Sequence, residues 1–385
     1  MSRWMIIVLC LLCLSTFSVA KTPIKLGSSI ALTGPNSFLG IQMQKGMLTY
    51  FKKINAKGGV FGRKIELIAL DDGYIPEIAK KNTLQLIDGN NVLALIGNVG
   101  TPTARVTVPV VNEKKILLFG AYTGSDILRK NPPDRYVINY RAGYSKETEN
   151  MLNGLIKMGI RPFEIAFFTQ IDSYGDVGYY SALNTLERLG YSNGASLPHG
   201  RYTRNTTDIK DAVIKILNAE IKPKAIIMVG TYAPCAKFIS IAKRVLPCTY
   251  FLNISFTGTN ALKMALGGKT KNVIVTQVVP GPQANYPIVH EYKKDLKKYF
   301  PKVQPGFVSL EGYIVAKIFV EGLKRTKGKI TRETIIDALE SLKDLDVGLS
   351  EKLTYGPDKH EGLKKVWPII FNEKSYELFH WKVKD

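Results

Sequence analysis

Apolar and polar residues alternate along the chain in short blocks, and the clearest blocks lie between residues 92 and 128. An apolar run at 92–97 predicts a buried strand, a helix is expected from Thr101, and a second apolar strand is predicted at 116–120, before a polar turn at 122–125. A strand, helix and strand of this length form a βαβ unit, which makes the two strands parallel neighbours. Both turns then lie at the carboxyl ends of the strands, where open α/β sheets bind small molecules.

Thr101 and Pro102 mark the predicted start of the helix in this unit. Threonine is a common N-cap and proline is favoured in the first helical position, so Thr101 is predicted to be the N-cap. The free N–H groups of the first turn and the helix dipole favour a carboxylate at this point. The pattern therefore predicts an anion-binding turn, although the Thr101 hydroxyl could instead serve only to cap its own helix.

The same alternation of strands and helices occurs twice along the chain. The first array contains predicted helices at 39–55 and 78–87 and a strand at 136–140, in addition to the unit described above. The second array contains predicted helices at 147–158, 175–189 and 234–245 and strands at 163–169, 225–229, 249–253 and 273–278. Helices at 288–299, 310–324 and 332–341 and late strands at 366–371 and 376–381 complete the prediction. Two successive arrays predict two similar α/β lobes, and the late strands suit a chain that crosses between the lobes again.

The first 20 residues have the features of a secretory signal peptide. Arg3 precedes an apolar run at 5–17, which is followed by the small residues of Ser18–Val19–Ala20. A membrane anchor is the alternative, but the run is shorter than the roughly 18 apolar residues that a spanning helix needs. We therefore expect export, with Lys21 as the first mature residue and with Cys10 and Cys13 removed.

Two cysteines remain in the mature chain, Cys235 and Cys248. An exported pair could form a disulfide. However, a helix at 233–245 would hold the two positions roughly 15–20 Å apart, whereas a disulfide requires less than about 7 Å between Cα atoms. Two buried thiols are the favoured prediction.

Composition and motifs argue against two further classes of function. The formal net charge is +21, but the basic residues are spread over the whole chain beside acidic ones, without a basic block or a zinc-knuckle spacing, so nucleic-acid binding is not expected. Asp71 and Asp72 end a strand and should point to opposite sides of it, and the four histidines have no metal-binding spacing. The sequence contains no G-x-S-x-G, Walker or H-E-x-x-H motif. We expect neither an enzyme nor a cofactor or metal.

Several longer segments resemble one family. ALTGPNSFLG, INAKGGVFGRKIELIALDDGYIP, ALIGNVGTPT, LLFGAYTGSDILR and INYRAGYSKET occur in this order along essentially the whole mature chain. They resemble the leucine/isoleucine/valine-binding family of periplasmic solute-binding proteins, which serve ABC importers. The resemblance implies the α/β type I periplasmic binding protein fold, with two Rossmann-like lobes joined by a three-crossover hinge. On this basis the predicted division is a signal peptide at 1–20, an N-terminal lobe at 21–141 plus 279–355, and a C-terminal lobe at 142–278 plus 356–385.

The resemblance also implies positions for the ligand-binding residues. From the first lobe it implies Thr101, with Asn98 and Gly100 in the same turn, together with Tyr122 and Thr123. From the second lobe it implies Tyr174, Tyr232 and Ser255. The two second-lobe tyrosines could instead be ordinary half-buried residues without a ligand contact. The sequence favours neither interpretation for Tyr122 and Tyr144.

One departure from the family affects the expected ligand. Amino-acid binders of this family carry an acidic residue that pairs with the ligand ammonium, and this chain has Asn253, Ser255 and Thr257 in that region. Glu311 could replace the missing carboxylate, or it could be a charge favoured by the N-terminus of its own helix. This departure argues against a plain α-amino acid as the ligand.

Together these features predict a periplasmic, monomeric protein that traps a small polar solute between its two lobes. The solute is expected to carry a carboxylate and to be either amino-acid-like or an aromatic or other organic acid. The solute would be delivered to the permease subunits of an ABC importer, and the membrane would be contacted only through that permease. The alternative is a sensor of the same fold that reports its ligand to a membrane receptor or kinase.

Overall fold

The first of two β-sheets is entirely parallel. The structure is a computed structural model, and it describes residues 21–372 and 375–382, so the proposed signal peptide lies outside the described residues. The sheet has the strand order β2-β1-β3-β4-β5. Its strands are β1 Ile24–Ile30, β2 Ile65–Asp71, β3 Ala94–Ile96, β4 Leu118–Phe119 and β5 Val137–Ile138.

The second sheet is parallel except at one edge. Its order is β12-β11-β10-β9-β8-β6-β7, with β11 and β12 antiparallel to their neighbours. Its strands are β6 Ile165–Gln170, β7 His199–Tyr202, β8 Ala225–Val229, β9 Tyr250–Asn253, β10 Val273–Gln277, β11 Trp367–Phe371 and β12 Tyr376–Leu378. The late strands therefore return to the second sheet, as a chain that crosses between lobes requires.

Helices connect the strands and cover the sheets. They are α1 Ser37–Asn55, α2 Pro76–Leu84, α3 Thr101–Glu113, α4 Tyr144–Lys157, α5 Ser173–Arg188, α6 Lys210–Leu217, α7 Tyr232–Ala242, α8 Thr259–Leu266, α9 Pro287–Tyr299, α10 Phe307–Arg325 and α11 Arg332–Glu340. A π-helical turn, Gln85–Gly89, extends α2. Helix α1 packs on α10, and α2 packs on α3. Across the described residues, every helix is too short or too polar to cross a membrane.

Three crossovers join the two lobes. The chain passes between them from β5 to α4, from β10 to α9 and from α11 to β11. The first and third crossovers run side by side, because the Asn139 N–H donates to the His360 carbonyl at 2.8 Å and the Leu363 N–H donates to the Tyr140 carbonyl at 2.8 Å. The predicted fold class, two Rossmann-like lobes with a three-crossover hinge, is confirmed. The exact lobe boundaries at 141/142, 278/279 and 355/356 stay a prediction.

The sequence pattern identified most elements but missed three short ones. Strand β7 has the sequence HGRY and lacks an apolar run, so it carries little strand signal. Helix α8 is bounded on both sides by left-handed glycines, Gly258 and Gly267. Helix α6, KDAVIKIL, does have apolar residues three and four positions apart, and this pattern could have predicted it.

The predicted cap of α3 was wrong. Thr101 is the first helical residue, and Gly100 precedes it as the N-cap with a φ of 112° and no side chain to accept a hydrogen bond. Since the Thr101 hydroxyl does not cap its own helix, it is available for contacts across the sheet edge.

The two mature cysteines are both free, but only one of them is buried. Cys235 lies in the core and Cys248 is exposed, so the prediction of two buried thiols was wrong for Cys248. Cys248 follows the end of α7 in a surface turn between that helix and β9, where no other element covers it.

Candidate functional site

The candidate site lies between the lobes, at the carboxyl ends of the parallel strands. The first lobe contributes the turns after β2, β3 and β4, and the second lobe contributes the turns after β6, β8 and β9. Six polar turns therefore converge, as expected where strand ends of two parallel sheets face each other. We call this region the cleft.

Three hydroxyl groups form a chain within the cleft. The Thr101 and Thr123 Oγ1 atoms lie 2.6 Å apart, and Thr123 Oγ1 lies 3.1 Å from the Tyr144 hydroxyl. All three side chains are fully buried. We call these residues the hydroxyl cluster. The Tyr174 ring packs against Tyr144 with a centroid distance of 5.7 Å, so a tyrosine of the second lobe closes over the cluster.

The N-terminus of α3 lies beside this cluster. The first four N–H groups of a helix have no partner within the helix, and Pro102 has no N–H group at all. The Ala104 N–H donates to the Gly100 carbonyl at 3.1 Å, and the Gly100 N–H donates to the Tyr122 carbonyl at 3.2 Å. The helix therefore has the N–H groups of Thr101 and Thr103 and its positive dipole end to offer an anion.

Aromatic rings form the opposite wall of the cleft. Phe256, from the loop after β9, packs against Tyr74, Tyr122 and Tyr174 at centroid distances of 5.9, 5.5 and 4.7 Å. We call these four residues the aromatic wall. Sequence reasoning missed Tyr74 and Phe256, although Tyr74 follows the DDG turn of a strand end and Phe256 lies in the NISFTGT segment that drew attention to Ser255.

Ser255 is completely occupied by other residues of the protein. Its N–H and hydroxyl donate to the Glu147 carboxylate at 2.7 and 2.8 Å, and its hydroxyl also accepts from Arg141. Its carbonyl accepts a hydrogen bond from the Tyr122 hydroxyl at 3.1 Å. The Thr276 hydroxyl adds a further donor to Glu147. This arrangement favours a role for Ser255 in joining the lobes.

Arg141 is the buried cation of this junction. Its guanidinium lies 4.5 Å from the centre of the Tyr122 ring and 3.5 Å from the Glu311 carboxylate. Burial raises the pKa of Glu311 to about 7, because the loss of hydration outweighs the attraction of Arg141, and nearby Glu147 raises the pKa further. Burial also raises the pKa of Glu147. Arg141 and Glu147 lie in the INYRAGYSKET segment, which was the only sequence signal for them.

Glu311 is therefore a buried partner of Arg141. It lies in the second turn of α10, so it is not an N-terminal charge of the first turn.

The remaining predicted residues lie at the edge of the cleft. Tyr232 is half-buried and packs edge-on against Phe38 at 6.2 Å, while the Asn98 carbonyl accepts from the Tyr122 N–H at 2.7 Å. Their contacts with a ligand stay predictions.

The two lobes are closed on each other. Besides the Tyr122–Ser255 contact, the Asn36 side chain donates to the Asn205 side chain at 2.8 Å, and Asn205 donates to the Gly73 carbonyl at 3.2 Å. Within 21–372 and 375–382, no three histidine, cysteine, aspartate or glutamate side chains form a group that could hold a metal ion.

Comparison with known proteins identifies the family. The sequence profile of a family described as Periplasmic binding protein matches residues 23–369. The chain belongs to this family. It is of the leucine/isoleucine/valine-binding type, and the family is extracytoplasmic.

Named relatives agree with this assignment. Leu/Ile/Val-binding protein homolog 7 of Brucella abortus is 25% identical over 349 residues, which cover 80% of this chain and 79% of the relative. A crystal structure of a possible leucine/isoleucine/valine-binding protein from Rhodopirellula baltica SH 1 is 44% identical, with a TM-score of 0.91 and coverage of 94% of this chain and 97% of that one. A substrate-binding periplasmic protein from Ralstonia solanacearum is 25% identical, with a TM-score of 0.85 and coverage of 92% and 100%.

The buried carboxyl of Glu311 makes stability depend on pH. Its pKa in the folded protein, about 7, is above the ordinary value of 4.5, so its favourable contribution is complete below pH 4.5 and is lost as the pH rises through 7. Glu311→Gln keeps an uncharged group at every pH. We expect the free energy of unfolding of the variant, relative to the wild type, to increase by about 2–3 kcal/mol between pH 5 and pH 8.

Urea denaturation at the two pH values measures this difference. Glu321→Gln is the control, because Glu321 lies on the same helix but is partly exposed and pairs with Lys324. The pH dependence of Glu311→Gln is compared with that of this control variant. A stability difference between Glu311→Gln and the wild type that stays constant or falls from pH 5 to pH 8 would contradict the expectation, since it would mean that folding does not raise the pKa of Glu311.

Proposed function

We propose that this binding protein traps a small carboxylate-bearing solute with an apolar or aromatic body and delivers it to an ABC importer. The observation that carries the proposal is the hydroxyl cluster of Thr101, Thr123 and Tyr144 at the N-terminus of α3, inside a closed cleft. Hydroxyl and N–H donors beside a helix N-terminus suit the oxygens of a carboxylate, and they act strongly where water is excluded.

The aromatic wall supports the apolar part of the proposal. Phe256 and Tyr174 are buried and pack on each other with a centroid distance of 4.7 Å, and such rings favour stacking on flat or branched apolar groups. Binding on the first lobe, followed by closure of the second lobe, would bury this part of the solute and expel water.

The charges of the cleft favour a solute without an ammonium group. A buried ammonium requires an acidic partner. Glu147 already accepts hydrogen bonds from Ser255 and Thr276, and Asp172 accepts hydrogen bonds from Gln170, the Tyr174 N–H and Arg204. Relatives are named for leucine, isoleucine and valine, and the corresponding 2-oxo acids keep the carboxylate and side chain of these amino acids without the ammonium group. The aromatic wall makes aryl acids the second group of candidates.

Export and delivery form the second half of the proposal. The family is extracytoplasmic, and residues 1–20 have the order of charges, apolar residues and small residues typical of a cleaved signal peptide. The closed form would be the shape that permease subunits recognise.

Matched pairs of compounds test the proposed solute class. Leucine and 4-methyl-2-oxopentanoate, and phenylalanine and phenylpyruvate, share a carboxylate and side chain, but only the amino acids carry an ammonium group. In a thermal-shift assay we expect each oxo acid to raise the melting temperature more than its amino acid, because the buried ammonium group of the amino acid would lack an acidic partner. A ligand at 100 times its Kd stabilises the protein by about 2.7 kcal/mol, which is large enough to measure. Larger shifts with the amino acids would refute the absence of an ammonium partner.

The role of the hydroxyl cluster is tested by Thr101→Val. The replacement keeps the shape of the side chain and removes one hydrogen-bonding group, so binding of the best compound should weaken by about 1–3 kcal/mol in calorimetry. Thr107→Val is the control, because Thr107 lies buried on the same helix and bonds only to the Thr103 carbonyl and to Thr83. Equal affinity of the two variants for the compound would show that the Thr101 hydroxyl does not contact the bound solute.

Import is tested by uptake of the same compound in cells. Deleting the gene should reduce uptake of the radiolabelled compound at micromolar concentrations, because a binding protein supplies the importer with loaded, closed complexes. A strain that carries the gene on a plasmid is the control. Undiminished uptake, together with a lost transcriptional or chemotactic response, would favour the sensor instead.

A further inference from the structure

Tyr74 has an unusual backbone conformation for a large buried residue. Its φ is 63°, in the left-handed region that side chains rarely adopt, and its side chain is fully buried. The other non-glycine residues with positive φ in the described chain are partly or fully exposed: Phe61, Asn91, Lys115, Asn205, Asn272 and Asp344. A strained conformation at a buried aromatic residue persists only where the surroundings impose it, and such strain is concentrated at functional sites.

The two aspartates that end β2 hold this conformation. The Asp72 carboxylate accepts from the Tyr74 N–H at 2.8 Å and from the Ser29 hydroxyl at 2.7 Å, while Asp71 accepts from the Gly73 N–H at 3.0 Å. The Asp72 carbonyl accepts from the Ile75 N–H at 2.8 Å. The pair therefore fixes the turn that carries Tyr74, and the two carboxylates do so from different sides, as their alternation along the strand requires.

The ring of Tyr74 lies between the anion-binding turn and the second lobe. A Cβ atom at Gly100 would come within 2.4 Å of the Tyr74 Cε2 atom, so the glycine is needed both for its φ of 112° and for the close approach of this ring. On its other side the ring packs against Phe256. Tyr74 thus lies directly beside the first residue of α3, Thr101.

The hydroxyl of Tyr74 has no hydrogen-bond partner among the described residues, although it is buried. Burial raises its pKa, nearby Asp172 and Tyr144 add to the effect, and the nearby Gln170 side chain offsets it in part, so the hydroxyl is neutral. Gln170 does not reach the Tyr74 hydroxyl at hydrogen-bond distance, and its side chain donates to Asp172 and accepts from the Tyr202 hydroxyl. A buried hydroxyl without a partner is costly, and phenylalanine would fill the same space without that cost.

We propose that Tyr74 is a specificity-determining residue whose hydroxyl donates a hydrogen bond to an acceptor oxygen of the bound solute, beside Thr101. The inference rests on the proposed function, because it assumes that a solute with a carboxylate or carbonyl oxygen occupies the cleft. On this inference the aspartate pair, the left-handed Tyr74 and Gly100 together hold the Tyr74 hydroxyl beside the bound solute.

Tyr74→Phe tests the assignment by removing only the hydroxyl. Tyr355→Phe is the matched control, since Tyr355 is also fully buried and also has an unpartnered hydroxyl, but it does not belong to the hydroxyl cluster or the aromatic wall. Each variant and the wild type are titrated by calorimetry with leucine, phenylalanine, 4-methyl-2-oxopentanoate and phenylpyruvate, and the melting temperature of each free protein is measured.

We expect Tyr74→Phe to weaken the best-bound compound about 10- to 100-fold, and Tyr355→Phe to change it less than about twofold. The free Tyr74→Phe protein should melt at or above the wild-type temperature, because it no longer buries an unpaired hydroxyl. Wild-type affinity of Tyr74→Phe would overturn the inference while leaving the proposed function intact. A melting temperature well below that of Tyr355→Phe would also overturn it, since the hydroxyl would then be structural. Failure of all four compounds to bind the wild type would contradict the proposed solute class, and the inference would fall with it.

Discussion

The buried guanidinium of Arg141 joins the two lobes where the chain first crosses between them. A charge without water must be compensated by partners within the protein. Arg141 has Glu311 on the first lobe and the Ser255 hydroxyl, itself bonded to Glu147, on the second. Since each lobe supplies partners, the closed arrangement of the lobes and the compensation of this charge depend on each other.

The chemistry of the cleft follows from this junction. Ser255 donates to Glu147 and accepts from Arg141, so the polar groups of the loop after β9 bond within the protein, while its apolar Phe256 packs in the cleft. Tyr122 is used twice, as a ring under the guanidinium and as a donor to the Ser255 carbonyl. The hydroxyl cluster is joined by hydrogen bonds between neutral hydroxyl groups, whereas the junction contains the charged groups of Arg141, Glu147 and Glu311.

The first lobe uses backbone geometry for the same purpose. Gly100 replaces the expected threonine cap, and its lack of a side chain makes room for Tyr74. Because the helix is capped without Thr101, the Thr101 hydroxyl can bond to Thr123 at the sheet edge. This is why the cap prediction failed. Threonine is common at the N-cap position, but here the Thr101 hydroxyl bonds to Thr123 in the tertiary structure, and Gly100 takes the N-cap position instead.

The sequence by itself determined the alternation of strands and helices, the presence of two lobes and the turns at which polar residues would converge. These properties depend on periodicity within about 20 neighbouring residues and on turn residues such as those around Thr101 and Tyr174. Resemblance added the order of the family motifs and the three crossovers. Only the tertiary structure decided that Ser255 is occupied by Arg141, which lies 114 residues away, and by Glu147, which lies 108 residues away. It also decided that Tyr74 and Phe256 meet across the cleft. The physical reason is that burial and pairing are properties of contacts between distant segments, and no local pattern records which buried charge will find which partner.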